Sequence, residues 1–84
     1  MADFKFDVLS DFGILEEGPV FDIRAKIISW NGGPPKFDIR KWNKETNVMS
    51  KGISISLDSI EQLKNILDAV EPNYELPNDD SINM

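Results

Sequence analysis

Apolar and polar residues alternate through most of this chain, and only near its end does the spacing change to threes and fours. Phe4-Lys5-Phe6-Asp7-Val8 has the period of two that marks a half-buried strand, and the even-numbered set resumes at Phe12 and Ile14. One long strand is expected from about Phe4 to Leu15, bent or bulged near Gly13. Glu16-Glu17-Gly18-Pro19 supplies turn chemistry. A second strand is expected from about Val20 to Trp30, with Phe21, Ile23, Ala25 and Ile27 as its apolar row. Its other face carries Asp22, Arg24, Lys26, Ile28 and Trp30. After the turn signal Asn31-Gly32-Gly33-Pro34-Pro35 a third strand runs from Lys36 to about Trp42, with Phe37 and Ile39 against Lys36, Asp38, Arg40 and Trp42.

Asn43-Lys44-Glu45-Thr46-Asn47 reads as a polar loop, and Lys51-Gly52 leads into a fourth strand, Ile53-Ser54-Ile55-Ser56-Leu57. Asp58 then offers an N-cap with Glu61 three residues on, and Ile60, Leu63, Ile66, Leu67 and Val70 form the stripe of an amphipathic helix over Ser59–Val70. Pro72 ends it. The expectation is an α+β domain over residues 1–70, four antiparallel strands followed by one C-terminal helix (β-β-β-β-α), and an acidic, disordered tail over 71–84. Four strands of ten residues make a sheet of roughly 33 by 19 Å. A twelve-residue helix is about 18 Å long and roughly 10 Å wide, too small to cover one face. A second copy of the chain is the simplest way to finish the core, so a homodimer is expected.

The tetrapeptide Phe-Asp-Ile-Arg occurs at Phe21–Arg24 and again at Phe37–Arg40. Two copies do not make a repeat protein, but they show both strands using one pattern. If the intervening turn pairs them as a hairpin, face must match face. Arg24, Lys26, Trp30, Lys36, Arg40 and Trp42 then share one surface.

Charge sharpens that picture. The chain is net −6, yet the stretch from Arg24 to Lys51 holds seven cations against Asp38 and Glu45 alone, and contains both tryptophans. Basic side chains interleaved with aromatics on extended backbone suit a flexible polyanion with exposed bases. With no cysteine and no histidine, disulfides and thiolate or imidazole metal sites are excluded. There is no glycine-rich phosphate loop opening a helix, and Asp79-Asp80 in the tail makes a poor cation site, so no catalytic residue, metal or cofactor is expected. Met-Ala-Asp-Phe-Lys is not a signal peptide and no apolar run approaches a membrane span, which points to a cytoplasmic domain without membrane contact.

The run Lys36-Phe37-Asp38-Ile39-Arg40-Lys41-Trp42, then Lys51-Gly52-Ile53-Ser54-Ile55-Ser56-Leu57-Asp58 and a helix with Gln62-Leu63-Lys64, resembles the C-terminal domain of the eukaryotic coactivator positive cofactor four. It is closer still to that domain's compact bacterial relatives, the YdbC-like proteins, including Ser29-Trp30-Asn31-Gly32. The resemblance covers roughly Phe4 to Val70. It implies a homodimer whose curved sheets present a concave surface to single-stranded DNA while the helices pack at the dimer interface. Carried over by motif, Arg40, Trp42 and Lys51 face the nucleic acid, and Trp30 and Lys36 fit the same surface. The chain departs from the pattern in its acidic balance and acidic tail, and it carries no serine- and lysine-rich stretch, so coactivation in the eukaryotic sense is not expected.

The candidate nucleic-acid-binding residues are therefore Arg24, Lys26, Trp30, Lys36, Arg40, Trp42, Lys44 and Lys51. The expected ligand is single-stranded DNA, or RNA, bound with little sequence specificity and with no small-molecule substrate. Solvated charge on a sheet face is the plain alternative for the cations, and core packing for the tryptophans. Phe4, Phe6, Phe12, Phe21 and Phe37 are assigned to the core, Gly52 to backbone geometry in a bulge, and Asp22 and Asp38 to holding neighbouring cations. A rival function is a dimeric adaptor whose tryptophans and basic stretch dock an acidic protein. The tail folding over the basic face is a third idea.

Overall fold

The computed structural model describes residues 5–72. Four strands, β1 (Phe6–Glu17), β2 (Phe21–Trp30), β3 (Pro35–Asn43) and β4 (Met49–Ser56), form one open antiparallel sheet in the order β1-β2-β3-β4. A 3-10 turn (Leu57–Ser59) leads into helix α1 (Ile60–Ala69). The architecture is the expected β-β-β-β-α. Phe4 and the tail from residue 73 lie outside the described residues.

The β2–β3 hairpin follows from its turn. Asn31 and Gly32 both have positive φ, 51° and 75°, and the Gly33 N–H donates to the Trp30 carbonyl at 2.8 Å. Such turns match the twist of the flanking strands, and Asn-Gly is their preferred sequence. The register pairs Arg24 with Arg40, Lys26 with Asp38, Ile28 with Lys36 and Asp22 with Trp42, so the charged rows do share a face.

β1 departs from simple alternation. Its register slips three times, between Val8 and Ser10, Asp11 and Gly13, and Ile14 and Glu16. Each extra residue exchanges the two faces of the strand. Phe6 and Val8 sit opposite Trp30 and Ile28, on the charged face, and the slips then bring Asp11 opposite Lys26 on that same face. Phe12 turns to the other side, 6.4 Å from Phe37.

Burial falls on the face where alternation least suggests it. Among the described residues Ile28, Trp42, Lys26, Asp38 and Asp22 are the buried ones, all on the charged face, because its long side chains cover one another. The odd-numbered apolar row, expected to be core, is only partly covered: Phe37, Ile39, Ile53, Ile55 and Leu63 line an open groove, and Ile53 is 61% exposed. The helix does little to close it. Ile66, Leu67 and Val70 are more than half exposed. The radius of gyration is 16.0 Å, against about 12 Å for a compact chain of this length.

The helix start also differs in detail. The Ser56 hydroxyl, not Asp58, caps the 3-10 turn by accepting the Asp58 N–H at 3.1 Å, and Ser59 gives α1 no side-chain cap. No helix among the described residues is long and apolar enough to cross a membrane.

Candidate nucleic-acid interface

Three aromatic rings and four cations meet on the charged face. Phe6 lies 5.7 Å from Trp30 and 6.1 Å from Trp42, tilted against both. The Lys26 ammonium sits 3.5 Å above the Trp42 ring, and the Arg40 guanidinium 4.8 Å above Trp30. Each tryptophan thus carries a cation on its ring, the contact in which indole is the strongest partner.

Most of these cations already have an acid. Arg24 donates to both Asp11 oxygens, at 3.1 and 3.4 Å, and Lys26 lies 3.7 Å from the same carboxylate. Burial pushes the Asp11 carboxyl up, but the Gly13 N–H bond and the charges of Arg24 and Lys26 together outweigh it and hold it below its usual range. For Lys26 burial prevails over Asp11 and lowers the ammonium's pKa. Asp38, fully buried, accepts three hydrogen bonds from Arg40 at 2.8–3.0 Å and one from the Ser54 hydroxyl at 2.6 Å. Ser54 in turn accepts the Trp30 indole N–H at 3.0 Å. A second Arg40 nitrogen donates to the Ser50 carbonyl at 3.1 Å.

The structure brings Arg24, Lys26, Trp30, Lys36, Arg40 and Trp42 onto one face. Lys36 stands opposite Ile28 and Ser56 with no carboxylate within ion-pair distance among the described residues, and Lys51 is exposed at the start of β4 beside the β3–β4 bulge. Lys44 lies at the far end of that face, beyond Trp42. It sits at the β1–β2 turn, 3.3 Å from Glu17 and 3.8 Å from Asp22, with its backbone N–H on the Val20 carbonyl. Trp42, expected to face nucleic acid, is only 4% exposed, and its indole N–H has no partner among the described residues. In this chain it packs under Lys26 and beside Phe6, with little surface left for a base.

Phe6, Asp11 and Ser54 were not among the expected site residues. Ser54 shares the even-numbered face of β4 with Ser56 and was legible from alternation. Phe6 arrives by pairing with Trp30 and Asp11 by pairing with Lys26, on either side of the first slip in β1. Gly52 does what its bulge position suggested: a Cβ there would collide with Arg40 Cβ and the Ile39 carbonyl, so only glycine lets β4 approach β3 beside Arg40. Among the described residues no cluster of acids is arranged to hold a metal ion.

Residues 22–66, more than half of the chain, match the family model of Transcriptional Coactivator p15 (PC4). A protein of Treponema pallidum (strain Nichols), described only as uncharacterized, is 35% identical over 69 residues, 81% of each chain. The chain belongs to the PC4 family. The PC4 match runs from β2 into α1 and so contains Trp30, Asp38, Arg40 and Ser54. Phe6 and Asp11, on β1, fall outside it and complete the face from this chain's own N-terminal strand.

Proposed function

We propose that this PC4-family chain is a non-enzymatic, cytoplasmic binder of single-stranded nucleic acid, DNA in the first instance, with little sequence specificity. The observation that supports the proposal is the charged face itself: within the stretch that matches the PC4 family, Lys26 lies on the Trp42 ring and Arg40 on the Trp30 ring, on one sheet surface. Such a surface offers hydrogen-bond donors to a backbone and planar groups to unpaired bases. A duplex encloses its bases and gains nothing from the planar groups.

The binding unit is a homodimer. An exposed apolar groove on the opposite face and a helix whose Ile66, Leu67 and Val70 point into solvent call for a cover of the same chemistry. A second copy supplies one.

The test is a salt-controlled comparison of oligo-dT, the matching RNA and duplex, read by tryptophan fluorescence, with a mass measurement alongside. Oligo-dT is expected to quench the emission reversibly with salt and to bind more tightly than duplex, and the mass should be that of two chains. No response to oligo-dT at low salt would sink the proposal and move the assignment to an adaptor for an acidic protein.

A further inference from the structure

Asp38 is the one fully buried acid on a face built to meet a polyanion. An anion there ought to weaken phosphate binding, so its position needs a reason. Its four hydrogen bonds supply one. Three come from Arg40 and one from Ser54, and Ser54 also accepts the Trp30 indole N–H. One carboxylate therefore fixes both partners of the Arg40–Trp30 stack.

The guanidinium is largely spent by this arrangement. One of its faces lies over Trp30, its Nε and one terminal nitrogen bind Asp38, and the other terminal nitrogen binds the Ser50 carbonyl. With its charge cancelled by an acid at 2.8 Å, Arg40 is a weak phosphate ligand. What remains for a ligand is the side of the guanidinium away from Trp30, and the side chain retains 16% exposure.

Building on the nucleic-acid reading above, we propose that Asp38 is a positioning residue that turns Arg40 from a phosphate ligand into a platform for a base. The base stacks on a guanidinium that is itself stacked on Trp30. Planar guanidinium groups serve this role for unpaired bases, and fixing the plane in advance reduces the ordering cost of binding. The Ser54 link holds the indole in register beneath it.

Three variants test the idea against oligo-dT over a salt series, with thermal unfolding to confirm folding. Arg40→Lys keeps the charge and loses the plane. It should bind about tenfold more weakly, within the range known for loss of one stacked base, with an unchanged salt slope. Asp38→Asn frees the charge, so its log–log slope should steepen by about 0.7, the value for one additional phosphate on a single strand. In free Asp38→Asn and Ser54→Ala proteins the Trp30 indole N–H resonance should move. Lysine serving as well as arginine at position 40, or Asp38→Asn keeping the parent slope, overturns the proposal. So does an unmoved Trp30 resonance, whether or not the parent binds DNA. A parent protein that ignores oligo-dT while the resonance still moves removes the nucleic-acid reading and the platform with it, leaving only the hold of Asp38 on Trp30.

Discussion

The two tryptophans look alike in the sequence, each at a strand end beside basic residues, and the fold gives them different work. Trp30 has its N–H satisfied by Ser54 and Arg40 on its ring. Trp42 is buried with its N–H unpartnered. An unsatisfied buried donor costs about 1–3 kcal/mol, and a phenyl ring at position 42 would remove that donor while keeping a face for Lys26. The lost volume opposes the gain. Trp42→Phe is therefore expected to change stability by less than about 1.5 kcal/mol in urea unfolding, and to leave oligo-dT affinity within about twofold because so little of this ring is exposed to a base. Trp42→Ala differs, since emptying a buried aromatic site costs about 3–5 kcal/mol. A tenfold binding loss in a stable Trp42→Phe protein would show that this indole does meet the ligand.

At the scale of elements, the strands and the helix were legible because each has a clean period and a turn between neighbours. The β2–β3 face was legible for the same reason: Asn31-Gly32 sets the hairpin, and two copies of Phe-Asp-Ile-Arg set its sides. β1 was not. Its three slips are invisible to a period-two pattern, so Phe6 was assigned to the core and Asp11 to no site at all. β4 began four residues earlier than its alternation suggested, because Met49 pairs with Trp42 across a bulge that breaks the pattern. That bulge depends on Gly52. Its added Cβ would meet backbone as well as Arg40, and backbone cannot step aside. Gly52→Ala is expected to cost about 3 kcal/mol in urea unfolding, the upper part of the usual overpacking range, and to weaken oligo-dT binding by displacing Arg40. A variant as stable as the parent would mean that the strands separate there without penalty.

On the scale of the whole molecule, the sequence pattern placed the apolar and charged faces of β2, β3 and β4 correctly and misjudged which is better buried. Alternation reports chemistry, not coverage, and a single helix of ten residues leaves the apolar groove open. Leu63 is the helix residue that lines this groove. If a second copy covers it, Leu63→Asp places a charge in an apolar interface and should shift the mass from two chains to one at micromolar concentration. It should do so without directly touching the charged face. Retention of the dimer in that variant would move the interface away from this groove.

Net charge and the proposed ligand meet in the remaining whole-molecule question, how an acidic protein would hold a polyanion. Counting all seven cations from Arg24 to Lys51 as phosphate ligands gives a log–log salt slope of about 5 per chain on a single strand. The structure argues for far less. Arg24 and Lys26 share Asp11, Arg40 is held by Asp38, and Lys44 lies between Glu17 and Asp22. Lys41 pairs with Ile23 in the β2–β3 ladder and so belongs to the opposite, apolar face. Lys36, Lys51 and the one charge that Asp11 leaves uncancelled on Arg24 and Lys26 remain, which gives a slope of about 2 per chain engaged. Affinity that survives physiological salt must then come mainly from planar contacts and directed hydrogen bonds, which salt screens weakly. Lys51→Ala should flatten the measured slope by about 0.7, and Arg24→Gln should flatten it by about as much, because Asp11 then cancels Lys26 alone and the trio keeps no charge. A slope near 5 in the parent would show instead that the ion pairs open when the strand binds and hand their cations to phosphates.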